Sequence, residues 1–180
     1  MTRIVEVERA SAEDVDHILG WLKQEYDEDG EGFWNNRQMI RDALDDPDEL
    51  WVIRKDGEAV AFQLGEHAAD IMSVRKDCRR MGMGQALFEA SLQRAMGNDV
   101  NVFEGQCEPT GSLDFWQRMG FKRYHDPQRP HDVMVRYILP RSFDLPVDAR
   151  RVPVVIGFYP EAALDDDRVF AIDEYHLEGA

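Results

Sequence analysis

Two arginines and two glycines lie at the entrance of a predicted helix near the middle of the chain. The sequence there reads Arg79-Arg80-Met81-Gly82-Met83-Gly84 and continues into an apolar-periodic segment. A helix N-terminus carries unpaired N–H groups and the positive end of the helix dipole. Glycine has no Cβ, so a ligand can approach the backbone closely, and arginine adds full positive charge. The stretch therefore predicts an anion site suited to phosphate or pyrophosphate.

Two nucleotide-binding motifs share features with this stretch but do not match it. A Walker loop would end in Gly-Lys-Ser or Gly-Lys-Thr and would include a residue that holds magnesium, and both are missing here. A dinucleotide fingerprint needs a third glycine three residues after Gly84, where this chain has Leu87. A plain tight turn with two solvated arginines is the structural alternative. The sequence favours a pyrophosphate site that needs no metal, directly after a strand.

The elements that position this loop follow from hydrophobic periodicity and turn residues. Alternating residues predict a first strand over Ile4–Glu8, and Ser11 is the predicted N-cap of the helix that follows. Asp56-Gly57 joins two apolar runs and is a favoured hairpin turn. The other predicted segments are a helix over Trp34–Leu44, hairpin strands over Leu50–Arg54 and Ala59–Leu64, a strand over Ala69–Val74, a helix over Met83–Ala95, and strands over Val100–Gln106 and Asp132–Leu139.

A short helix around Trp116 has recognisable ends. Ser112 is its predicted N-cap, and Gly120 fits a left-handed stop that would bring Phe121 against Trp116 in a Schellman closure. Beyond Leu139, two apolar segments predict two more strands. This order of strands and helices predicts an α/β or α+β fold, with helices on the faces of a mixed sheet.

Composition limits the classes of function. The 180-residue chain has a formal net charge of −15, which argues against a nucleic-acid partner because phosphates would be repelled. The charge would attract a cationic partner such as a polyamine, although it also serves solubility alone. The sequence shows no apolar run near the roughly 18 residues of a membrane span and no signal peptide. Its two cysteines fit neither a disulfide framework nor a metal site, so a cytoplasmic protein without a metal is expected.

The loop and two neighbouring motifs resemble the GNAT family of N-acetyltransferases. Arg79–Gly84 is similar to that family's Arg/Gln-x-x-Gly-x-Gly/Ala signature, and IMSVRKDC before it resembles the fourth strand and the loop that follows. FWQRMGF downstream resembles the family's fourth helix and its ending. The order of elements agrees from Ile4 to about Leu139. The resemblance implies a GNAT-like fold: a central, mostly antiparallel sheet with a splayed parallel pair, flanked by helices and followed by a C-terminal β extension.

The resemblance also implies that the chain binds acetyl-CoA. Backbone amides of the loop would hold the pyrophosphate, with Arg79 or Arg80 adding charge. The strand edge over Met72–Val74 would pair with the pantetheine arm, and the thioester would enter where the strands Ala69–Val74 and Val100–Gln106 splay apart. The implied cofactor-binding residues are Met72, Ser73, Val74, Arg79, Arg80, Met81, Gly82, Met83, Gly84, Gln85 and Trp116.

Acetyl transfer to an amine needs a base for the ammonium, a donor for the developing oxyanion and a proton donor for the thiolate. The family's usual oxyanion donor is a backbone N–H, here near Val74. The predicted base is Glu104, and the other candidates are Glu66, Asp70 and His67.

The proton donor departs from the family pattern. A tyrosine is common where this chain has Trp116, and an indole cannot give up a proton to a thiolate. Tyr124 is the predicted substitute. The alternatives are Tyr137, Cys107 and Tyr26, a thiolate that leaves unaided, or an acyl-cysteine at Cys107.

The expected acceptor is a primary amine on a small molecule or a protein. The acidic loop Tyr26–Trp34 lies where acceptors usually dock in the family, and acids with aromatics can hold a cation, although a solvated loop is the plainer interpretation. The resemblance gives a GNAT domain over residues 1–139. The tail, residues 140–180, would pack on that domain or at a homodimer interface.

Two other functions stay open on the sequence. One is a CoA-binding regulatory or structural module with impaired catalysis, which Trp116 favours. The other is an acidic decoy for nucleic-acid-binding proteins, which would not need the glycines of the loop.

Overall fold

The computed structural model describes residues 5–30, 32–66, 71–98, 100–141, 154–159 and 173–177. The chain divides into two compact units, Met1–Val100 and Asn101–Ala180. Within the described ranges, no helix is both long and apolar enough to cross a membrane.

The first unit contains a four-stranded antiparallel sheet in the order β1-β2-β3-β4. Short 3-10 turns at Phe33–Asn36, Ala43–Asp45 and Lys76–Cys78 join the longer elements. The main elements are β1 (Glu8–Arg9), α1 (Ala12–Asp29), α2 (Arg37–Asp42), β2 (Leu50–Lys55), β3 (Glu58–Leu64), β4 (Ile71–Val74) and α3 (Met83–Met96).

The first helix begins where the sequence predicts, at a capping box. The Ser11 hydroxyl accepts a hydrogen bond from the Asp14 backbone N–H, and the Asp14 carboxylate accepts one from the Ser11 N–H at 2.7 Å. Asp14 is buried, and the Arg54 guanidinium pairs with it, with Nε 2.8 Å from Oδ1. The cap therefore fixes the start of α1 and ties it to β2.

The hairpin of β2 and β3 forms as predicted, because its two turn residues accept left-handed backbone. Asp56 has φ 55° and Gly57 has φ 89°, which is the pattern of a type I′ turn. Successive side chains of a strand point to opposite faces of the sheet, and residues 59–64 of β3 are all buried. The sheet is therefore covered on both faces. One face packs against α1 through residues such as Ile18, Leu22 and Phe62, and the other packs against α3 through Ile53, Val60, Ala61 and Leu87.

The second unit contains a three-stranded antiparallel sheet in the order β5-β7-β6. A two-stranded antiparallel ribbon, β8 with β9, follows in the tail. The elements are β5 (Val102–Gln106), α4 (Leu113–Arg118), β6 (Lys122–Tyr124), β7 (Met134–Ile138), β8 (Val154–Phe158) and β9 (Asp173–Leu177).

The end of α4 confirms the predicted closure. Gly120 has φ 94°, and the Phe121 N–H donates to the Trp116 carbonyl at 3.0 Å. The rings of Trp116 and Phe121 meet edge-on with centroids 4.9 Å apart. The predicted N-cap is wrong, however: Ser112 has helical φ −74° and ψ −12° and makes no cap hydrogen bond, because the 3-10 turn Thr110–Ser112 leads directly into the helix.

Several predicted boundaries were too generous. The first strand begins at Glu8 rather than Ile4, because residues 5–7 form no ladder with β2. The predicted second helix is a short α-helix between two 3-10 turns. Ile4 lies outside the described residues.

We expect Gly120→Ala to lower the free energy of unfolding by about 1–2 kcal/mol, because a Cβ is unfavourable at a left-handed φ. The added Cβ would also lie 3.1 Å from the Tyr137 ring. Urea denaturation followed by circular dichroism measures the change. Gly20→Ala is the matched control: Gly20 lies in α1 with nothing within 4 Å of its Cβ position, so it should stabilise by about 0.5–1 kcal/mol. Equal effects of the two substitutions would contradict the backbone argument.

Candidate active site

The outer edge of β4 carries backbone groups that β3 does not use. The Arg75 N–H donates to the Val60 carbonyl at 2.9 Å, and Ser73 lies opposite Phe62. Because bonded and non-bonded pairs alternate in an antiparallel ladder, Met72 and Val74 direct their N–H and C=O groups away from β3. Among the described strands, β4 is the last of its sheet. Its edge can therefore accept an extended ligand as a further strand.

The N-terminus of α3 lies a short turn beyond this edge. Gly82 is the N-cap with φ 83°, and it provides no side-chain cap. The first helical hydrogen bond runs from the Ala86 N–H to the Gly82 carbonyl at 3.0 Å. The N–H groups of Met83, Gly84 and Gln85 consequently have no intrahelical acceptor, which is the arrangement that binds anions.

The side chains of the loop differ in what they offer a ligand. Met83 is buried, so only its backbone is available, and Gln85 donates its amide to Glu89 at 2.7 Å. Met81 is 54% exposed at the tip of the loop. Arg80 is exposed and has φ 64°, an uncommon value for a residue with a Cβ. The loop is therefore a backbone site, with the Arg80 guanidinium at its entrance free of any ion-pair or hydrogen-bond partner among the described residues.

The remaining cations near the loop are engaged with carboxylates. Arg75 pairs with Asp77 at 2.7 Å and with Glu58 at 3.1 Å, and the hydrogen bond to Asp77 raises the pKa of the guanidinium. Lys76 pairs with Asp29, and that hydrogen bond raises the pKa of its ammonium. The pairs with Glu58 and Asp29 hold the segment between β4 and α3 against β3 and α1.

Arg79 is turned toward the protein. Its Nε donates to the Val74 carbonyl at 2.9 Å, and its guanidinium lies 3.6 Å from a carboxylate oxygen of Glu25. The other oxygen of Glu25 accepts the Lys76 backbone N–H at 2.8 Å. Sequence reasoning missed Glu25, although it follows Val15, Ile18 and Leu22 on the buried stripe of α1, where a carboxylate is unexpected.

The second unit brings the predicted base and the predicted proton donor together. Glu104 on β5 lies opposite Arg136 of β7, which lies opposite Lys122 of β6. The Tyr124 hydroxyl, further along β6, donates to the Glu104 carboxylate at 3.5 Å. Burial raises the pKa of Tyr124, and the Glu104 charge raises it further. The phenol is therefore protonated throughout the physiological range.

A buried carboxylate lies two residues beyond Tyr124. Asp126 accepts hydrogen bonds from the Gln128 N–H at 2.8 Å and from Arg129 Nε at 2.7 Å. Burial alone would raise the pKa of Asp126, but the bonds from Arg129 and Gln128 outweigh it and lower the pKa. This turn fixes the end of the strand that carries Tyr124.

Trp116 and Cys107 are unsuited to proton transfer. Trp116 lies in an aromatic cluster, with ring centroids 5.0 Å from Phe115 and 4.9 Å from Phe121. Cys107 is buried, and burial raises the pKa of its thiol, so little nucleophilic thiolate forms near neutral pH. Tyr137 is part of the same cluster, 5.4 Å from Phe121.

The other predicted bases are less defined. The Glu66 side chain is exposed, and its backbone carbonyl accepts Arg94 Nε at 3.0 Å. His67 and Asp70 lie outside the described residues. Groups of three or more metal-ligating side chains are absent from the described part of the chain.

The predicted acidic loop Tyr26–Trp34 is helical in its first part, because α1 continues to Asp29, and the acids there are engaged by the chain itself. Asp27 pairs with Lys23, Asp29 pairs with Lys76, and Glu28 accepts the Gln24 amide at 2.9 Å. The Trp34 ring already carries two cations, with Arg37 at 5.2 Å and Lys23 at 5.8 Å from its centroid. This arrangement weakens the interpretation of the loop as a cation cage.

The central segment of the chain matches a known protein family. Residues 46–123 match the family described as "Acetyltransferase (GNAT) domain". The match runs from β2 through the loop and α3 to β6. The search of curated proteins found no match.

Solved structures share the fold at low sequence identity. The ribosomal-protein-S18-alanine N-acetyltransferase from Escherichia coli superposes with a TM-score of 0.59 at 12% identity, over 78% of this chain and 97% of that chain. Ard1 from Thermoplasma volcanium gives 0.59 at 17% identity, over 76% and 98%. The N-acetylglutamate synthase from Neisseria gonorrhoeae, complexed with coenzyme A and N-acetyl-glutamate, gives 0.59 at 15% identity, over 77% of this chain and 36% of that chain.

Proposed function

Because residues 46–123 match a GNAT acetyltransferase domain and acetyltransferases of known structure share the fold, we propose that the chain is an acyl-CoA-dependent acetyltransferase of this family that moves an acetyl group from acetyl-CoA directly to a primary amine. The observation that carries this proposal is the open edge of β4 leading into the uncapped N-terminus of α3. Together they offer an extended row of backbone groups and then a cluster of N–H donors, which suits a pantetheine arm that ends in a diphosphate.

The loop binds the cofactor through its backbone. The N–H groups of Met83, Gly84 and Gln85 hold the pyrophosphate, and Gly82 gives the chain the left-handed turn that directs them outward. The Met72 N–H and C=O, which face the outer edge of β4, pair with the amides of the pantetheine arm. Bound acetyl-CoA supplies the thioester that activates the acetyl group, and the protein supplies position and charge.

The three groups proposed for the transfer are the ones that the sequence predicts. The Val74 N–H, which points away from β3, stabilises negative charge that develops on the acetyl oxygen. Glu104 takes the proton from the ammonium of the acceptor, directly or through water. Tyr124 donates a hydrogen bond to the leaving sulfur. In the family this role commonly belongs to a tyrosine at the position where this chain has Trp116.

The raised pKa of Tyr124 limits what it does. A thiol has a pKa of about 8.5, so a phenol with a pKa above the usual value of about 10 cannot protonate a thiolate completely. Tyr124 therefore stabilises the leaving thiolate by a hydrogen bond, and the proton comes later from solvent. This role needs no full proton transfer during the slow step.

The acceptor is proposed as a small molecule or an accessible protein amine. A cationic acceptor is consistent with the net charge of −15, but the Trp34 ring and the acids around it bind the chain's own cations. The structural neighbours include enzymes named for a ribosomal protein and for N-acetylglutamate, so both kinds of acceptor belong in a test.

A second candidate function is a CoA-binding module without catalysis. Trp116 favours it, because the ring occupies the family's usual acid position and is fixed in an aromatic cluster. The cytoplasmic location, the homodimer, the splay between β4 and β5 and the division at residue 139 also stay predictions.

We expect thiol release from acetyl-CoA with at least one acceptor in a panel of spermidine, kanamycin, lysine, glutamate and basic peptides. A colorimetric thiol assay measures the release, and mass spectrometry identifies the acetylated amine. Tight CoA binding without turnover on any member, including peptides of ribosomal proteins, would support the binding module instead.

Gly84→Glu should abolish CoA binding, because it places a carboxylate where the pyrophosphate meets the helix N-terminus. Isothermal titration calorimetry with CoA measures the affinity. Gly97→Glu is the matched control, since Gly97 caps the opposite end of α3 and should leave binding unchanged. Unaltered affinity in Gly84→Glu would contradict the site.

Glu104→Gln should slow acetyl transfer about a hundredfold below pH 7, with a smaller loss at higher pH. An amine such as lysine, with a pKa of about 10.4, is almost fully protonated at low pH and needs the base most there. A pH profile of kcat/KM checks this, with Glu108→Gln as a control for loss of charge. A uniform loss at every pH would remove Glu104 as the base.

A further inference from the structure

Four cationic side chains lie between the end of β4 and the start of α3, and they differ in their contacts. Arg75 and Lys76 are held in ion pairs with Asp77 and Asp29. Arg79 is bonded to Val74 and paired with Glu25. Among the residues that the structure describes, Arg80 makes no ion pair or side-chain hydrogen bond. The four charges are therefore not equivalent toward a ligand.

Glu25 of α1 contacts the loop through both of its carboxylate oxygens. The residue is only 8% exposed. One carboxylate oxygen accepts the Lys76 N–H at 2.8 Å, and the other lies 3.6 Å from the Arg79 guanidinium. A buried carboxylate with two such partners fixes them both, because losing either leaves charge or an N–H group unsatisfied.

We propose that Glu25 and Arg79 form a positioning pair for the phosphate loop, and that Arg80 supplies the guanidinium that meets the pyrophosphate. The inference rests on the proposed function, since it assigns roles within the same cofactor site. It divides the two adjacent arginines, which the sequence cannot distinguish, into one that shapes the loop and one that binds.

The geometry of Arg79 supports this division. A phosphate would compete with the Val74 carbonyl, 2.9 Å from Nε, and with Glu25 for the N–H donors of the Arg79 guanidinium. Arg80 faces no such competition. Its left-handed backbone, φ 64°, turns the chain between Arg79 and Gly82.

The direction in which one substitution changes the affinity for CoA tests the role of Glu25. Removing a negative charge near an anion site should strengthen CoA binding by simple electrostatics. If Glu25 positions the loop, Glu25→Gln should instead weaken CoA binding about tenfold, because Arg79 loses its charged partner. Glu13→Gln, on the exposed face of the same helix, makes the same charge change and should leave affinity equal or slightly stronger.

Salt dependence separates the two arginines. A direct charge contact with phosphate is screened by salt, whereas the Glu25–Arg79 pair acts on the shape of the loop and its two charges offset each other. Arg80→Gln should weaken CoA binding about tenfold and flatten the dependence of affinity on NaCl concentration. Arg79→Gln should also weaken binding, but its salt dependence should match that of the unsubstituted protein.

Acetyl-pantetheine, which lacks the diphosphate, controls for a general loss of structure. The KM for acetyl-CoA should rise in all three variants, while the KM for acetyl-pantetheine stays within about twofold. Thermal unfolding of each variant confirms that it is folded, and Arg79→Gln, at a side chain 53% exposed, provides a test should Glu25→Gln not fold.

Three results would overturn the inference: stronger CoA binding in Glu25→Gln, a flattened salt dependence in Arg79→Gln rather than Arg80→Gln, or an equal rise of both KM values. These outcomes leave the proposed function intact when Gly84→Glu still abolishes CoA binding. Unchanged affinity in Gly84→Glu would instead remove the cofactor site itself, and the inference with it.

Discussion

The outer edge of β4 is the constraint on which the rest of the candidate site depends. Backbone N–H and C=O groups require partners, and an exposed strand edge is a template for another extended chain. The hydrogen bond from the Arg75 N–H to the Val60 carbonyl fixes which residues of β4 bond to β3. The backbone groups of Met72 and Val74 therefore face the outer edge. An extended ligand can pair along this edge. Its next segment would then reach the N–H groups at the start of α3, which lies one turn beyond the strand.

The site combines a strongly acidic chain with a locally positive anion site. With a net charge of −15, the protein disfavours anions at long range. Most cations near the loop are neutralised by carboxylates, so the proposed recognition of a diphosphate relies on oriented backbone amides and on Arg80. Backbone donors keep their position without side-chain entropy, and they act at short range where screening by distant acids is weak. Acidic composition and binding of a diphosphate are therefore compatible.

Local features could be predicted from the sequence, and contacts between distant residues could not. The Asp56-Gly57 turn, the Ser11 cap and the Gly120 stop depend on a few adjacent residues, and all three form as predicted. Ser112 failed as a cap because a 3-10 turn absorbs it into the helix. The pairing of Glu25 with the loop joins residues about fifty positions apart, and no periodicity encodes it. The proximity of Tyr124 to Glu104 likewise depends on the order β5-β7-β6.

The left-handed backbone at Arg80 has a consequence for engineering this protein. Glycine or asparagine would adopt φ 64° more readily, so the arginine is retained against the chain's own conformational preference. A directed-evolution screen that rewards heat resistance alone would tend to replace it. With the coenzyme role proposed for Arg80, selection for thermal tolerance and selection for coenzyme capture act in opposite directions at this one position.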